Sequence, residues 1–225
     1  MKAIVFGHNV SDGEMLALNA GFQIVKKDPD FVISYGGDGT LMKAEYAYSG
    51  IPKIVLKDSA ICKVCSEFPN EMVLQKVTGG SYDTKTLMML DATVKGKTIT
   101  GMNDIVVHNG DPRHGMRYRL WTNGKQIGNI IIGDGIVVAT PFGSTAYYRS
   151  ITDSFFEIGI GLAFNNSIEQ SDHVVLDDQA IIKLEVTRGP ALVYADNQKE
   201  YLELKEGQEV TIRQSIKKAR WVIVK

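Results

Sequence analysis

Gly36-Gly37-Asp38-Gly39-Thr40 is the segment of this 225-residue chain whose residue types speak most directly of chemistry. Glycine lets the backbone turn with positive φ and approach a ligand closely. N–H groups left free where a helix begins make an anion site. An aspartate among them would repel a phosphate, so Asp38 suits another task. It can serve as a magnesium ligand, or as a carboxylate that takes the proton of an attacking hydroxyl. The plainer alternative is a glycine-rich turn in which Asp38 caps the following helix. The segment is neither the dinucleotide fingerprint nor the P-loop, since it lacks G-x-G-x-x-G and a following Gly-Lys-Ser.

Two further segments have polar groups in telling places. In Gly101-Met102-Asn103-Asp104, Asn103 offers both a donor and an acceptor, as a base edge requires, and Asp104 can accept two ribose hydroxyls. An Asn-Asp turn leading into a strand is the plainer alternative. The third segment runs from Gly133 to Tyr147. It joins an acidic turn at Asp134, a buried strand, a Thr140-Pro141 break and a Gly143-Ser144-Thr145 sequence able to open a helix. Small side chains and free N–H groups there would let a flat base or a phosphate lie on the backbone. Tyr147 could border a nucleoside. A well-capped strand-to-helix junction would need fewer small residues than this stretch has.

These segments need elements to hold them. Lys2–Phe6, Phe22–Val25, Phe31–Tyr35 and Ile51–Leu56 read as strands. Helices are expected from Ser11 or Asp12 to about Ala20, over Leu41–Tyr48 and over Asn70–Val77. Alternating strand and helix predicts a parallel α/β sheet, with the GGDGT segment between a buried strand and a helix. From about Tyr82 the pattern changes to short β-rich runs: Leu87–Val94, Asp104–Val107, Arg117–Thr122, Ile130–Ile132, Ile136–Ala139, Ala180–Thr187, Leu192–Tyr194, Glu209–Arg213 and Trp221–Val224. Asn123-Gly124 is a hairpin signal. The expected organisation is an α/β domain over residues 1–84 and a mostly-β domain over 85–225, with a ligand cleft between them.

Hydrophobic residues at 44% and charged residues at 23% describe a globular protein. At a net charge of −1 no basic excess points to a nucleic-acid partner. No apolar run is long enough to span a bilayer and no signal peptide is visible, so a cytoplasmic protein without a membrane partner is expected. The two cysteines, Cys62 and Cys65, read as small, partly buried residues; a redox pair or half of a metal site are the alternatives. The apolar run Ile158–Phe164 suits an internal strand and a subunit contact equally.

The three segments, in this order and spacing, resemble the NAD kinase family, which carries a GGDGT loop, an Asn-Glu or Asn-Asp pair and a G-D-G…T-P-x-G-S-T-A-Y block. The likeness runs from Val32 to about Ile212. It implies an N-terminal α/β (Rossmann-like) domain, a C-terminal β-rich domain and NAD as substrate, phosphorylated by ATP or polyphosphate with Mg²⁺. It also implies a homodimer or homotetramer in which a neighbouring subunit helps complete the site. By position, Asp38 is the catalytic aspartate, and Gly36, Gly37, Gly39 and Thr40 hold the donor phosphates. Asn103, Asp104, Asp134, Thr145, Ala146 and Tyr147 match contacts to NAD, and Asp196 resembles a family aspartate on a late β-turn near the reacting site. The chain departs from the family where Asn-x-Gly-x-x-Gly-Phe is usual, reading Lys57-Asp58-Ser59-Ala60-Ile61-Cys62-Lys63. It departs again at Ser150–Ser154 and Gly159–Asn166. A lipid kinase of the diacylglycerol or sphingosine type also carries GGDGT but lacks the third block. A non-catalytic nucleotide sensor would be expected to lose Asp38, Asp104 and Asp134.

Overall fold

The computed structural model describes residues 1–60, 62–169 and 173–225. They form two compact units, one of Met1–Leu87 with Lys217–Lys225, the other of Met88–Ile216. The expected boundary at 84/85 therefore moves slightly, and the second domain does not run to residue 225. The last nine residues return to the first unit, because the final strand pairs there.

The first unit contains β1 (Lys2–Gly7), α1 (Val10–Asn19), β2 (Gln23–Ile24), β3 (Phe31–Gly36), α2 (Asp38–Ala47), β4 (Lys53–Lys57), α3 (Asn70–Thr78) and β5 (Tyr82–Leu87). With the C-terminal strand Ala219–Val224 they make one sheet, whose order is β2-β1-β3-β4, the C-terminal strand, then β5. All neighbours are parallel except the last pair. Strands buried on both faces favour near-continuous apolar residues, which explains the runs Ala3–Phe6, Phe31–Ile33 and Ile54–Leu56 in β1, β3 and β4. Ala3, Val5, Phe31, Ile33, Ile54 and Leu56 form one core with Ala17 of α1 and Val73, Leu74 and Val77 of α3. α2 packs against β1, β3 and β4. It is tied to β4 by the buried ion pair Glu45–Lys53, whose Lys53 Nζ also donates to the Tyr48 carbonyl at 2.6 Å. Burial pulls the Lys53 ammonium below the usual lysine range, and Glu45 opposes that shift.

The second unit contains β6 (Leu90–Val94), β7 (Lys97–Gly101), β8 (Asp104–Asn109), β9 (Met116–Thr122), β10 (Lys125–Gly133) and β11 (Gly135–Ala139). A 3₁₀ turn (Gly143–Thr145) and α4 (Tyr147–Thr152) follow, then β12 (Ile160–Asn165), β13 (His173–Leu176), β14 (Ile182–Arg188), β15 (Ala191–Ala195), β16 (Tyr201–Leu204) and β17 (Glu209–Gln214). The C-terminal strand is β18. Two antiparallel sheets result, ordered β10-β9-β14-β17-β6-β7 and β13-β12-β11-β8-β15-β16. One apolar core joins their inner faces, including Tyr118, Leu120, Leu184 and Ile212 from the first sheet and Ile105, Val107, Ile136 and Leu162 from the second. The outer face of the second sheet is also apolar at Val106, Val137 and Ala163, and Tyr148 and Ile151 of α4 pack on it. Asn123 and Gly124, both with positive φ, form the expected two-residue hairpin between β9 and β10. The run Ile158–Phe164 supplies the internal strand β12, paired on both edges, while Ile158 itself is exposed.

Candidate functional site

The polar residues singled out in the sequence fall into three groups. The first lies at the carboxyl ends of β1, β3 and β4, where parallel sheets present their loops to ligands. An open cavity of about 350 Å³ there is lined by His8, Gly36, Gly37, Asp38, Gly39, Thr40, Lys43, Asp58 and Ser59. The GGDGT segment is therefore gathered in one place. Gly37 is extended (φ −116°, ψ −166°), and α2 begins at Asp38. The glycine requirement at Gly36 is one of space: a Cβ there would stand 2.2 Å from the Thr40 hydroxyl. Positive φ, expected for this loop, is not used at Gly36 or Gly37.

Asp38 does not cap α2, since the N-cap is Gly37 and no side-chain capping bond forms. Its Oδ1 instead accepts the backbone N–H groups of Lys63 at 3.0 Å and Val64 at 3.2 Å. Cys62 and Cys65 enclose those two residues and are joined by a disulfide, which corrects the expectation of two merely space-filling residues. His8, Lys43, Asp58 and Ser59 escaped the sequence reading. Lys43 stands one helical turn beyond Gly39, a spacing that would have revealed it. His8 and Asp58 follow β1 and β4, and only the sheet order makes them neighbours of β3. Asn9 Nδ2 donates to Asp58 Oδ2 at 2.9 Å across the same edge.

The second group surrounds the turn that opens β8. Asp196, at positive φ in the turn after β15, accepts three successive backbone N–H groups: Met102 at 2.8 Å, Asn103 at 2.7 Å and Asp104 at 3.2 Å. Thr140, missed in the sequence except as a break, closes the turn from the other side. Its Oγ1 donates to the Met102 carbonyl at 2.7 Å and accepts the Gly143 N–H at 3.1 Å, while its own N–H donates to the Asn103 carbonyl at 2.9 Å. Gly143 lies against Asn103 so closely that a Cβ would stand 2.1 Å from the Asn103 carbonyl oxygen. Asn103 is half-buried, and its Oδ1 is shielded from solvent without a hydrogen-bond partner. A buried acceptor left open in this way suits a ligand N–H.

Asp104 is buried, rather than displayed as an open acceptor, with a relative exposure of 6%. Burial, and then the negative charge of Asp196, push its carboxyl up to about 7. Asp196 is raised by burial too, but its three N–H donors oppose the shift, so the proton belongs on Asp104. The folded state then binds a proton that the unfolded chain releases near pH 4 (about 3.9 for a free aspartate). Stability linked to this group is complete below about pH 4 and is lost as pH rises through about 7. Asp104→Asn, neutral throughout, is expected to melt higher than wild type at pH 8 and not at pH 4. Melting curves at both pH values check this; an equal difference at each would exclude Asp104 as the titrating group.

The third group lies at the other end of the same sheet. Asp104 pairs with Ala139 and His108 with Gly135, so Asp134 and Asp104 are about 17 Å apart at ~3.4 Å per residue. Asp134 accepts Asn109 Nδ2 and Asn166 Nδ2, each at 3.1 Å. Asn165 Nδ2 donates to the Tyr147 hydroxyl at 3.1 Å. Gly135, at φ 132°, has no room for a Cβ, which would sit 1.9 Å from the Val107 carbonyl oxygen. Thr145 ends the 3₁₀ turn and Ala146 links it to α4, both half-buried. The second unit thus gathers Asn103, Asp104 and Asp196 but separates them from Asp134.

Residues 102–224 match the family model described as the ATP-NAD kinase C-terminal domain. The chain is 30% identical to an NAD kinase of Sulfurisphaera tokodaii over 98% of its own length and 94% of that protein. It is 34% identical to an NAD kinase of Hahella chejuensis over 66% of its length and 50% of that protein. Its fold is similar to the crystal structure of an NAD kinase from Archaeoglobus fulgidus in complex with ATP, with a TM-score of 0.80 at 20% identity, covering 98% of this chain and 93% of the other. A yeast NADH kinase complexed with NADH also gives a TM-score of 0.80, at 18% identity, over 91% of this chain and 66% of the other. Among the described residues, no helix is long and apolar enough to cross a membrane.

Proposed function

The chain belongs to the NAD kinase family, and from this we propose that it transfers a phosphoryl group from ATP, or from polyphosphate, to the 2′-hydroxyl of the adenosine ribose of NAD, giving NADP. Membership sets aside the lipid kinase and the non-catalytic sensor. The single observation that carries the mechanism is the cavity at the carboxyl ends of β1, β3 and β4, where Asp38 stands beside Gly36, Gly37, Gly39, Thr40 and Lys43. The glycine backbone and the start of α2 offer N–H groups to donor phosphates, and the Lys43 ammonium adds positive charge. The ATP complex of the Archaeoglobus relative is consistent with ATP as donor. Asp38 orients the acceptor hydroxyl and receives its proton. Catalysis of this kind is mainly positioning and electrostatics.

The residues of the cavity also fit a magnesium ion brought in with the donor. Mg²⁺ is usually held by one or two carboxylates together with substrate phosphates. Asp38 and Asp58 both line the cavity, and no cluster of three His, Cys, Asp or Glu side chains able to hold a metal occurs among the described residues. When bound, the ion offsets negative charge on the phosphate oxygens.

Asn103 takes the dinucleotide, its open Oδ1 receiving an amino or amide N–H, while Asp104 stays buried behind it. The NADH complex of the yeast relative supports a dinucleotide ligand. Asp134 and Tyr147, at the far end of the sheet, suit contacts to a dinucleotide bound by another copy of the chain, in a homodimer or homotetramer. Light scattering at micromolar concentration tests this; a fully active monomer would exclude it. Incubation with NAD, ATP and magnesium, followed by an assay for NADP, tests the activity itself, and no NADP from folded protein would overturn the reading.

A further inference from the structure

We propose that Cys62 and Cys65 form a thiol–disulfide exchange site whose redox state sets the position of Asp38. The loop between these cysteines contains Lys63 and Val64, the two residues whose N–H groups hold Asp38 Oδ1 at 3.0 and 3.2 Å. With the disulfide closed, both amides belong to a small covalent ring and point the same way. Cys65 Sγ also lies 3.7 Å from the Gly36 carbonyl oxygen. The ring therefore touches the GGDGT loop on both sides of Gly37. Both cysteines are half-buried, not sealed in a core, so a small thiol can reach them. The chain departs from its family in this loop, where Cys62 and Lys63 fall within the stretch that usually reads Asn-x-Gly-x-x-Gly-Phe.

The exchange partner is a low-molecular-weight disulfide, R–S–S–R. One cysteine thiolate attacks it, forming a mixed disulfide and releasing one R–S⁻. The second thiolate then attacks the protein sulfur of the mixed disulfide and releases the other R–S⁻. The two cysteine protons end on the two released thiols. Two electrons pass from the protein to R–S–S–R, and two molecules of R–SH are formed. Reduction reverses these steps and opens the ring. The segment around Lys63 and Val64 then regains backbone freedom, and ordering it against Asp38 costs conformational entropy. Oxidised protein is the form with a pre-positioned carboxylate. Asp38 remains the catalytic residue; Cys62 and Cys65 are positioning residues.

The kinetic part rests on the NAD kinase reading, so two readouts are needed. The protein is equilibrated in buffers of varied reduced-to-oxidised dithiothreitol ratio, and free thiols are counted in each. Hydrogen exchange at the Lys63 and Val64 amides is followed in the same samples. Protection is expected to be at least tenfold greater in the oxidised form and to be lost in Asp38→Ala even when oxidised. NADP formation should show kcat about tenfold higher in the oxidised form, the size expected for loss of one charged hydrogen bond, with KM for NAD little changed. Cys65→Ser should stay at the reduced level in every buffer, and a melting curve confirms that it is folded. Equal amide protection in the two redox states, with the thiol count confirming conversion, would overturn the proposal whatever the activity. Equal kcat in the two states would remove its catalytic consequence. No NADP from either form, with redox-dependent protection intact, would count against the kinase reading and leave the Asp38 clamp standing.

Discussion

Asp38→Asn is expected to lower kcat by about 10²–10⁴-fold, the usual contribution of a general base, while the protein stays folded and still binds NAD. Asp38 Oδ1 accepts two N–H groups from Lys63 and Val64, and the amide oxygen of Asn can accept both. The N-cap of α2 is Gly37, so no capping bond is lost. What disappears is one negative charge in the first turn, worth about 0.3–1 kcal/mol through the helix dipole. A large fall in rate beside a small fall in stability is the signature of a chemical role. If Asp38 only anchored the 62–65 loop, the variant would keep kcat within a few-fold of wild type. Steady-state kinetics and a melting curve on the same preparation separate the two outcomes.

Asp196→Ala is expected to act the other way round, on stability and NAD affinity together. Its carboxylate satisfies three successive N–H groups, those of Met102, Asn103 and Asp104. An orphaned buried donor costs about 1–3 kcal/mol. Above about pH 7, where Asp104 is ionised, relief of its repulsion with Asp196 offsets part of this. A net loss of about 2–4 kcal/mol follows, and at about 2–4 °C per kcal/mol for a chain of this size the melting temperature should drop by roughly 4–16 °C. Because the same N–H groups shape the turn that presents Asn103, NAD should bind at least about tenfold more weakly. Asp196→Asn keeps an acceptor oxygen and should fall between. Calorimetric melting without ligand and NAD titration check both halves. An Asp196→Ala protein that melts like wild type but loses NAD would mean that Asp196 touches the ligand and does not build the turn.

Much of the fold is written in local patterns. The short apolar runs within β1, β3 and β4 predict buried parallel strands, and Asn123-Gly124 marks its hairpin through the positive φ that both positions require. GGDGT announced a strand-to-helix loop, which it is. Its glycines serve close approach and not a left-handed backbone: Gly36 is needed for the closeness of Thr40 and not for positive φ. From the sequence Asp38 also suits a helix cap, because aspartate is a good cap in isolation. It fails because Lys63 and Val64, 25 and 26 residues further on, compete for the same carboxylate.

The sequence by itself determined which residue types could do chemistry and on what kind of element each would sit, since hydrophobic period and turn residues act over a few positions. It also carried the family likeness, because three short blocks keep their order along the chain. Tertiary structure alone decided which of those residues meet. Strand order in the parallel sheet brings His8 and Asp58 to the cavity of Asp38. Antiparallel register puts Asp104 and Asp134 at opposite ends of one sheet, and a turn 92 to 94 residues away in sequence supplies the carboxylate that holds the Asn103 turn. It also returned the last strand to the first unit, although Trp221–Val224 reads as a strand wherever it pairs. Register, burial and electrostatic coupling are properties of pairs distant along the chain. The raised proton affinity of Asp104 is one of these, and no local pattern encodes it.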